Sequence, residues 1–125
     1  MSLSKYLKQF RQVVGKLESY GYAESVEIRE EIRPNKQAIV KAKIVLIDRS
    51  VLHIKEYIDD RYKIQKVSYA YQYQDKSGTL IFRYDNAIHR PVLGFRQHKH
   101  IRDGLIIEAI LPDVSDIIDE VIGFL

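Results

Sequence analysis

The chain has 125 residues, 46% of them hydrophobic, and a formal net charge of +3. This length and hydrophobic content are enough for one domain with its own core. It contains no cysteine, which excludes disulfides, thiolate chemistry and cysteine-ligated zinc. No apolar run approaches the ~20 residues of a membrane helix, and the start MSLSKYLKQF lacks a secretion signal. We therefore expect a single soluble domain over residues 1–125. We expect it to stay in the cytoplasm and to have no membrane partner.

The spacing of apolar residues predicts a helix, a run of strands and a second helix. Apolar side chains recur every three or four residues over residues 3–20, the period of an amphipathic helix, with Ser2 or Ser4 as its N-cap. A period of two then predicts strands at residues 26–32, 38–46, 51–58, 62–74, 79–84 and 105–111. Asp113 begins the last helix.

The connections between the predicted strands are short, and short connections favour antiparallel pairing. We therefore predict an α+β fold, in which an antiparallel sheet of about six strands is flanked by an N-terminal and a C-terminal helix. Val67 and the tyrosines at 69, 71 and 73 fall on one side of the fourth strand, where we favour packing in the core over base stacking. About 18 residues after Asp85 show no regular period, and we interpret them as a long functional loop.

Chemistry-bearing side chains concentrate in residues 83–103. Three of the four histidines, His89, His98 and His100, lie within 12 residues there. The same stretch holds five cations and two carboxylates, an excess equal to the net charge of the whole chain. A local basic patch on a nearly neutral chain indicates an anionic partner.

Alternation along an extended backbone predicts how these side chains meet. One side of the fifth strand carries Leu80, Phe82 and Tyr84. The other side carries Arg83 and Asp85. Beyond the loop, one side carries Arg96, His98, His100 and Arg102. The opposite side carries Gln97, Lys99 and Ile101. If Arg83 and Asp85 lie on the sheet face away from the helices, the two ends of the loop meet there.

Such a cluster suits RNA cleavage without a metal or other cofactor, which requires a base, an acid and cations against the phosphorane charge. The catalytic candidates are His89, His98, His100 and Asp85. The candidates for phosphate binding are Arg83, Arg96, Lys99 and Arg102. One alternative is a metal site of His98 and His100 with His89 or Asp85. Another is a basic module that binds nucleic acid or protein without catalysis.

From the fourth strand onward the sequence resembles the TumE-type toxin family, the toxin halves of two-gene toxin–antitoxin systems. The resemblance rests on the segments SYAYQYQDKSG, LIFRYDNAIH and HKHIRDG. It implies a growth-inhibiting toxin that is neutralised by a protein antitoxin encoded beside it. It carries over, without assigned roles, Arg83, Asp85, Asn86, His89, His98, Lys99 and His100. We also expect RNA as a partner and, because sheets expose edge strands, a homodimer.

Overall fold

The structure is a computed structural model, and it describes residues 1–87, 97–102, 104–109 and 111–125. In chain order its elements are α1 (Leu3–Ser19), β1 (Ala23–Arg33), β2 (Gln37–Leu46), β3 (Val51–Asp59), β4 (Gln65–Gln74), β5 (Leu80–Asp85), β6 (His98–Ile101), β7 (Ile106–Glu108) and α2 (Val114–Ile122). Consecutive strands pair antiparallel in one seven-stranded sheet. The predicted α+β class, with a helix at each end of the sequence, is confirmed.

The sheet has one strand more than the sequence predicts. His98–Ile101 form β6, so the prediction of about 18 irregular residues is wrong for this part, while residues 88–96 lie outside the described residues. The strand escaped prediction because three of its four residues are His, Lys and His, which leave no apolar alternation to detect. The predicted strand at 105–111 is shorter in the structure and comprises Ile106–Glu108.

Both helices pack on the same face of the sheet, which we call the inner face. The core contains Leu7, Phe10, Val14 and Leu17 of α1 and Val114, Ile117, Ile118 and Val121 of α2. These residues pack against alternate side chains of β2 to β5. Tyr69, Tyr71 and Tyr73 are buried among them, so core packing is confirmed and base stacking by these tyrosines is wrong.

The ends of α1 follow from its sequence. The hydroxyl of Ser2 accepts a hydrogen bond from the amide of Lys5 at 3.2 Å, which confirms Ser2 as the N-cap. Gly21 follows the helix with φ of +80°, a conformation that costs a residue without Cβ little. Neither of the two helices in the described part of the chain is long and apolar enough to cross a membrane.

Bulges in β4 and β5 change which side chains face inward. Successive pairs are Tyr57 with Ser68 and Ile58 with Lys66. Val67 is therefore an extra residue, and it lies 39% exposed instead of joining the tyrosines. A second shift between Tyr73 and Gln74 makes Ile81 the extra residue of β5. The predicted alternation is thereby interrupted at Leu80, and Ile81 packs against the core.

The β4 bulge brings Lys66 to a buried carboxylate on the inner face. Glu56 is fully buried, and its Oε2 lies 3.3 Å from the Lys66 Nζ. The hydroxyls of Tyr6 and Tyr71 both donate to Glu56, and Lys66 also donates to the carbonyl of Pro112 at 2.9 Å. Burial, followed by the charge of Glu56, raises the pKa of both tyrosines. The network thus joins α1, β3, β4 and the start of α2.

We expect Glu56→Ala to lower the free energy of unfolding by about 3–5 kcal/mol, because it leaves the ammonium of Lys66 buried without its partner. Chemical denaturation followed by circular dichroism measures the change. Glu31→Ala is the matched control, since its ion pair with Arg33 is exposed and is worth about 1 kcal/mol or less. Equal effects of the two substitutions would contradict the role assigned to Glu56.

Candidate active site

Pairing of β5 with β6 brings the two halves of the histidine- and arginine-rich stretch together. Arg83 lies directly opposite His100, and Asp85 lies directly opposite His98. Directly opposed residues of an antiparallel pair project from the same face. For these four residues that face is the one away from the helices, which we call the outer face. The predicted meeting of Arg83 and Asp85 with His98 and His100 is therefore confirmed.

The carboxylate of Asp85 is the centre of this cluster and is buried. Its Oδ2 accepts a hydrogen bond from the Arg83 Nε at 2.8 Å and lies 3.3 Å from the His100 Nε2. Its Oδ1 contacts the His98 Nε2 and accepts from the Ala87 amide at 3.1 Å. Burial alone raises the pKa of Asp85, but Arg83, Ala87 and His98 together hold it below its ordinary value. Asp85 is therefore ionised at neutral pH.

The two histidines differ in access to solvent. The side chain of His98 is 1% exposed, whereas that of His100 is 19% exposed. Their rings meet edge to face, with centroids 5.3 Å apart. A substrate on the outer face can therefore reach His100 directly, while His98 contacts Asp85 from within the protein.

Arg83 is held at the surface of the cluster by two neighbours. Besides its hydrogen bond to Asp85, its Nη1 donates to the Gln72 Oε1 at 2.7 Å. Its side chain is nevertheless 35% exposed, so the guanidinium is both oriented and accessible. Gln72 was missed by the sequence analysis. No local signal in the sequence identifies it, because the bulge at Ile81 shifts the register between the Asp75–Gly78 turn and Arg83.

Asn86 has a structural position. Its side-chain oxygen accepts from the Tyr69 amide at 3.1 Å, and its side-chain nitrogen donates to the Val67 carbonyl at 3.1 Å. The amide group thus takes the place of a strand partner beyond the end of β5. The motif residue Asn86 thus continues the pairing with β4.

Two of the predicted phosphate-binding cations lie away from Asp85. Lys99 projects from the inner face, where its Nζ lies 2.9 Å from the Glu120 carboxylate of α2 and 4.7 Å from the centroid of the Tyr84 ring. Although burial lowers the pKa of Lys99, hydrogen bonds with Tyr84 and Glu120 outweigh it, and the pKa is raised. Arg102 pairs with Asp75 at 2.6 Å, beyond the other end of β5. The structure therefore gives Lys99 a role in holding α2.

The remaining predicted site residues, His89 and Arg96, lie outside the described residues. Their proposed roles in proton transfer and phosphate binding stay predictions.

The same cluster offers a set of metal ligands. One ligand atom each from Asp85, His98 and His100 can be chosen so that all three lie within 4.8 Å of one another. Two imidazole nitrogens and a carboxylate oxygen are donors that zinc and other first-row metals accept. The geometry matches the alternative in which Asp85 completes the site.

Comparison with known proteins gives one match. Residues 11–125 match the family model described as Toxin TumE, which extends the similarity from the two motif blocks to nearly the whole chain. No curated protein and no solved structure matches the chain. The family match identifies a class of protein and assigns no chemistry to the site.

We expect the stabilising effect of Asp85 to depend on pH. A carboxyl whose pKa is lower in the folded chain stabilises the fold above its unfolded pKa of about 4, and this contribution is lost as the pH falls from there toward the folded value. The difference in unfolding free energy between wild type and Asp85→Asn should therefore shrink as the pH falls below about 4.

Urea denaturation across this pH range measures the difference. Asp119→Asn on the exposed side of α2 is the matched control and should show no comparable trend. A gap for Asp85→Asn that stays constant to about pH 3 would contradict the lowered pKa.

Proposed function

The chain belongs to the TumE toxin family, and we propose that it inhibits growth as a ribonuclease that acts in the cytoplasm without a metal. The observation that carries the proposal is the Asp85 carboxylate between His100 and the exposed guanidinium of Arg83. These three groups supply a proton-transfer residue, a carboxylate to orient it and a cation for phosphate. Each of them is required when an RNA strand is cleaved by its own 2′-hydroxyl.

His100 is the proposed proton-transfer residue, because it combines contact with Asp85 and access to the outer face. In the cleavage step the 2′-oxygen bonds to the adjacent phosphorus as it loses its proton, and the bond to the 5′-oxygen breaks as that oxygen gains one. An imidazole can perform either transfer near neutral pH. Asp85 would fix the orientation of the ring and stabilise its charged form, as in catalytic triads.

Arg83 and His98 have different proposed roles. Arg83 would bind the non-bridging phosphate oxygens, where negative charge accumulates in the transition state. His98, which the sequence analysis assigned to proton transfer, is buried and contacts Asp85. We therefore assign it to positioning Asp85. His89 stays the sequence-based candidate for the second proton transfer.

A metal-dependent enzyme is the second candidate, and the three converging ligand atoms of Asp85, His98 and His100 favour it. In that case the metal would supply Lewis-acid activation of a water or phosphate oxygen. Measurement of bound metal in the purified protein, together with activity in EDTA, distinguishes the two candidates. Cleavage that needs a stoichiometric metal would replace the first proposal with the second.

Membership of a toxin family implies an antitoxin partner. We propose that it is a protein encoded by the adjacent gene. A homodimer formed through an edge strand is also proposed, because among the described residues β1 pairs on one side only and offers 11 residues of backbone.

Cleavage of purified structured and unstructured RNAs in EDTA tests the proposed reaction. We expect His100→Ala and Arg83→Ala to lower the rate about 10²–10⁴-fold. His98→Ala should lower kcat more than it raises KM, because Asp85 loses its alignment. Arg11→Ala on α1, which lies against the inner face and pairs with Glu30, is the control and should cleave like wild type.

Two outcomes would contradict the ribonuclease. Undiminished cleavage by His100→Ala would remove this residue from the mechanism. Salt-sensitive RNA binding without turnover by any variant would favour a non-enzymatic toxin.

Expression in cells tests the toxin and its partner together. We expect the chain alone to arrest growth, co-expression with the adjacent gene to restore it, and His100→Ala alone to leave growth unaffected. Western blotting confirms equal amounts of the variants. Growth arrest by His100→Ala at an equal level would show that toxicity does not depend on this site.

A further inference from the structure

Two rows of side chains cross the outer face perpendicular to the strands and end at the candidate active site. From β1 to β6 the first row consists of Arg29, Lys41, Lys55, Ala70, Asp85 and His98. The second row consists of Glu27, Lys43, His53, Gln72, Arg83 and His100. Every neighbour in a row is a directly opposed pair, so all of these side chains share the outer face. The candidate active site is thus the end of a continuous surface.

The part of the rows from β1 to Arg83 lines an open groove of about 620 Å³. Its lining includes five cations, which are Arg29, Lys41, Lys43, Lys55 and Arg83, and one carboxylate, Glu27. The groove therefore carries an excess of four positive charges, more than the +3 of the whole chain. His53 lies in the middle of the groove, and burial and Lys43 lower its pKa, so it adds no charge at neutral pH.

The placement of Arg29, Lys41 and Lys55 does not serve the stability of the sheet. Arg29 lies directly opposite Lys41, and Lys41 lies directly opposite Lys55, although like charges in this position destabilise a strand pair. Within the part of the chain that the structure describes, Lys41, Lys43 and Lys55 have no carboxylate within ion-pair distance. An anionic ligand lying across the strands would relieve the repulsion.

We propose that this groove binds the phosphate backbone of a base-paired segment of RNA and thereby presents one strand to His100. The inference deepens the proposed ribonuclease function and rests on it for the identity of the ligand. Lys43 on β2 and His100 on β6 are four strand spacings apart, or about 19 Å at ~4.8 Å each. The groove thus holds RNA next to the site of cleavage. His53 lies three strand spacings from His100, which is too far for both histidines to contact the same phosphate.

The composition of the groove favours a duplex over a single strand. Proteins that bind single strands combine cations with exposed aromatic rings on which bases stack. None of the described residues that line the groove is Phe, Tyr or Trp, and Tyr69, Tyr71 and Tyr73 of β4 lie in the core. A duplex needs no stacking surface, because it presents phosphates on a rigid backbone that proteins recognise by shape and charge.

The groove fits an acidic protein segment less well. Stable protein interfaces contain an apolar centre that excludes water. The exposed side chains of the groove are charged or polar, and Ile54 in its lining is 3% exposed. Continuity with Arg83 and the candidate active site adds a reason for RNA that an acidic protein does not share.

The test compares two double variants that remove equal charge from opposite faces. Lys41→Gln/Lys55→Gln changes the groove, and Lys8→Gln/Lys16→Gln changes exposed lysines of α1. The probe is a fluorescent RNA hairpin with 2′-O-methyl sugars, which cannot be cleaved by attack of a 2′-hydroxyl. Fluorescence anisotropy at several salt concentrations gives the affinity and its salt dependence. An unpaired 2′-O-methyl RNA of equal length and polyglutamate are the comparison ligands.

We expect the groove variant to bind the hairpin about tenfold or more weakly at low salt, and the slope of log K against log salt to fall in magnitude by about 1.8. Because it removes a like-charge pair, it should unfold at the same or a higher temperature, so the loss is not one of folding. The α1 variant should match wild type. The unpaired RNA should bind wild type more weakly than the hairpin does.

Three results would overturn the inference: equal binding by both variants, tighter binding of the unpaired RNA, or groove-dependent binding of polyglutamate without binding of the hairpin. Failure of the RNA-binding proposal can be distinguished from failure of the proposed ribonuclease function. Cleavage that depends on His100 but not on the groove lysines would leave only the reaction standing. Groove-dependent hairpin binding without any cleavage would leave only the binding surface.

Discussion

The buried carboxylate of Asp85 is the constraint on which the outer end of the sheet depends. A buried ion costs several kcal/mol unless it is paired and hydrogen-bonded, so Asp85 requires the contacts that Arg83, Ala87, His98 and His100 provide. These contacts also fix the orientation of each partner side chain. The ring of His100 and the guanidinium of Arg83 reach the surface in set orientations because both are attached to the same buried group.

Strand alternation separates the residues that hold the protein together from those proposed to act on a substrate. On β6, His98 and His100 face outward to Asp85, while Lys99 between them faces inward to Glu120 of α2. On β3, Glu56 faces inward to Lys66 and the tyrosine hydroxyls, while Lys55 faces the groove. Side chains on the inner face bind the helices, and side chains on the outer face form the basic groove and the candidate active site. The same strands therefore contribute to stability and to the proposed function through different residues.

Much of this architecture follows from the sequence. The period of α1, its cap at Ser2 and the strands up to β5 were predictable from apolar spacing, as was the convergence of Asp85 with His98 and His100 from alternation on either side of the loop. Alternation also predicted that Lys99 projects from the sheet face opposite to that of the histidines. Its positive charge nevertheless led us to predict that it binds phosphate. Its contact with Glu120 depends on tertiary packing of α2, which local pattern does not reveal.

Other features depend on pairing between distant residues. Strand β6 lacks apolar alternation, and the bulge at Val67 becomes visible only through its register with β3. The basic groove is the clearest case, because its cations come from four different strands. No run of basic residues in the sequence marks them, and the strand order alone brings them together.

The most direct test of the account is a crystal structure with an RNA hairpin that carries a 2′-deoxy sugar at its cleavage site. The account predicts that the phosphate beside this sugar lies within hydrogen-bonding distance, about 2.6–3.2 Å, of both His100 and Arg83, with Asp85 still in contact with both side chains. A bound hairpin whose phosphates lie away from His100, on a sheet with the β5–β6 register intact, would contradict it.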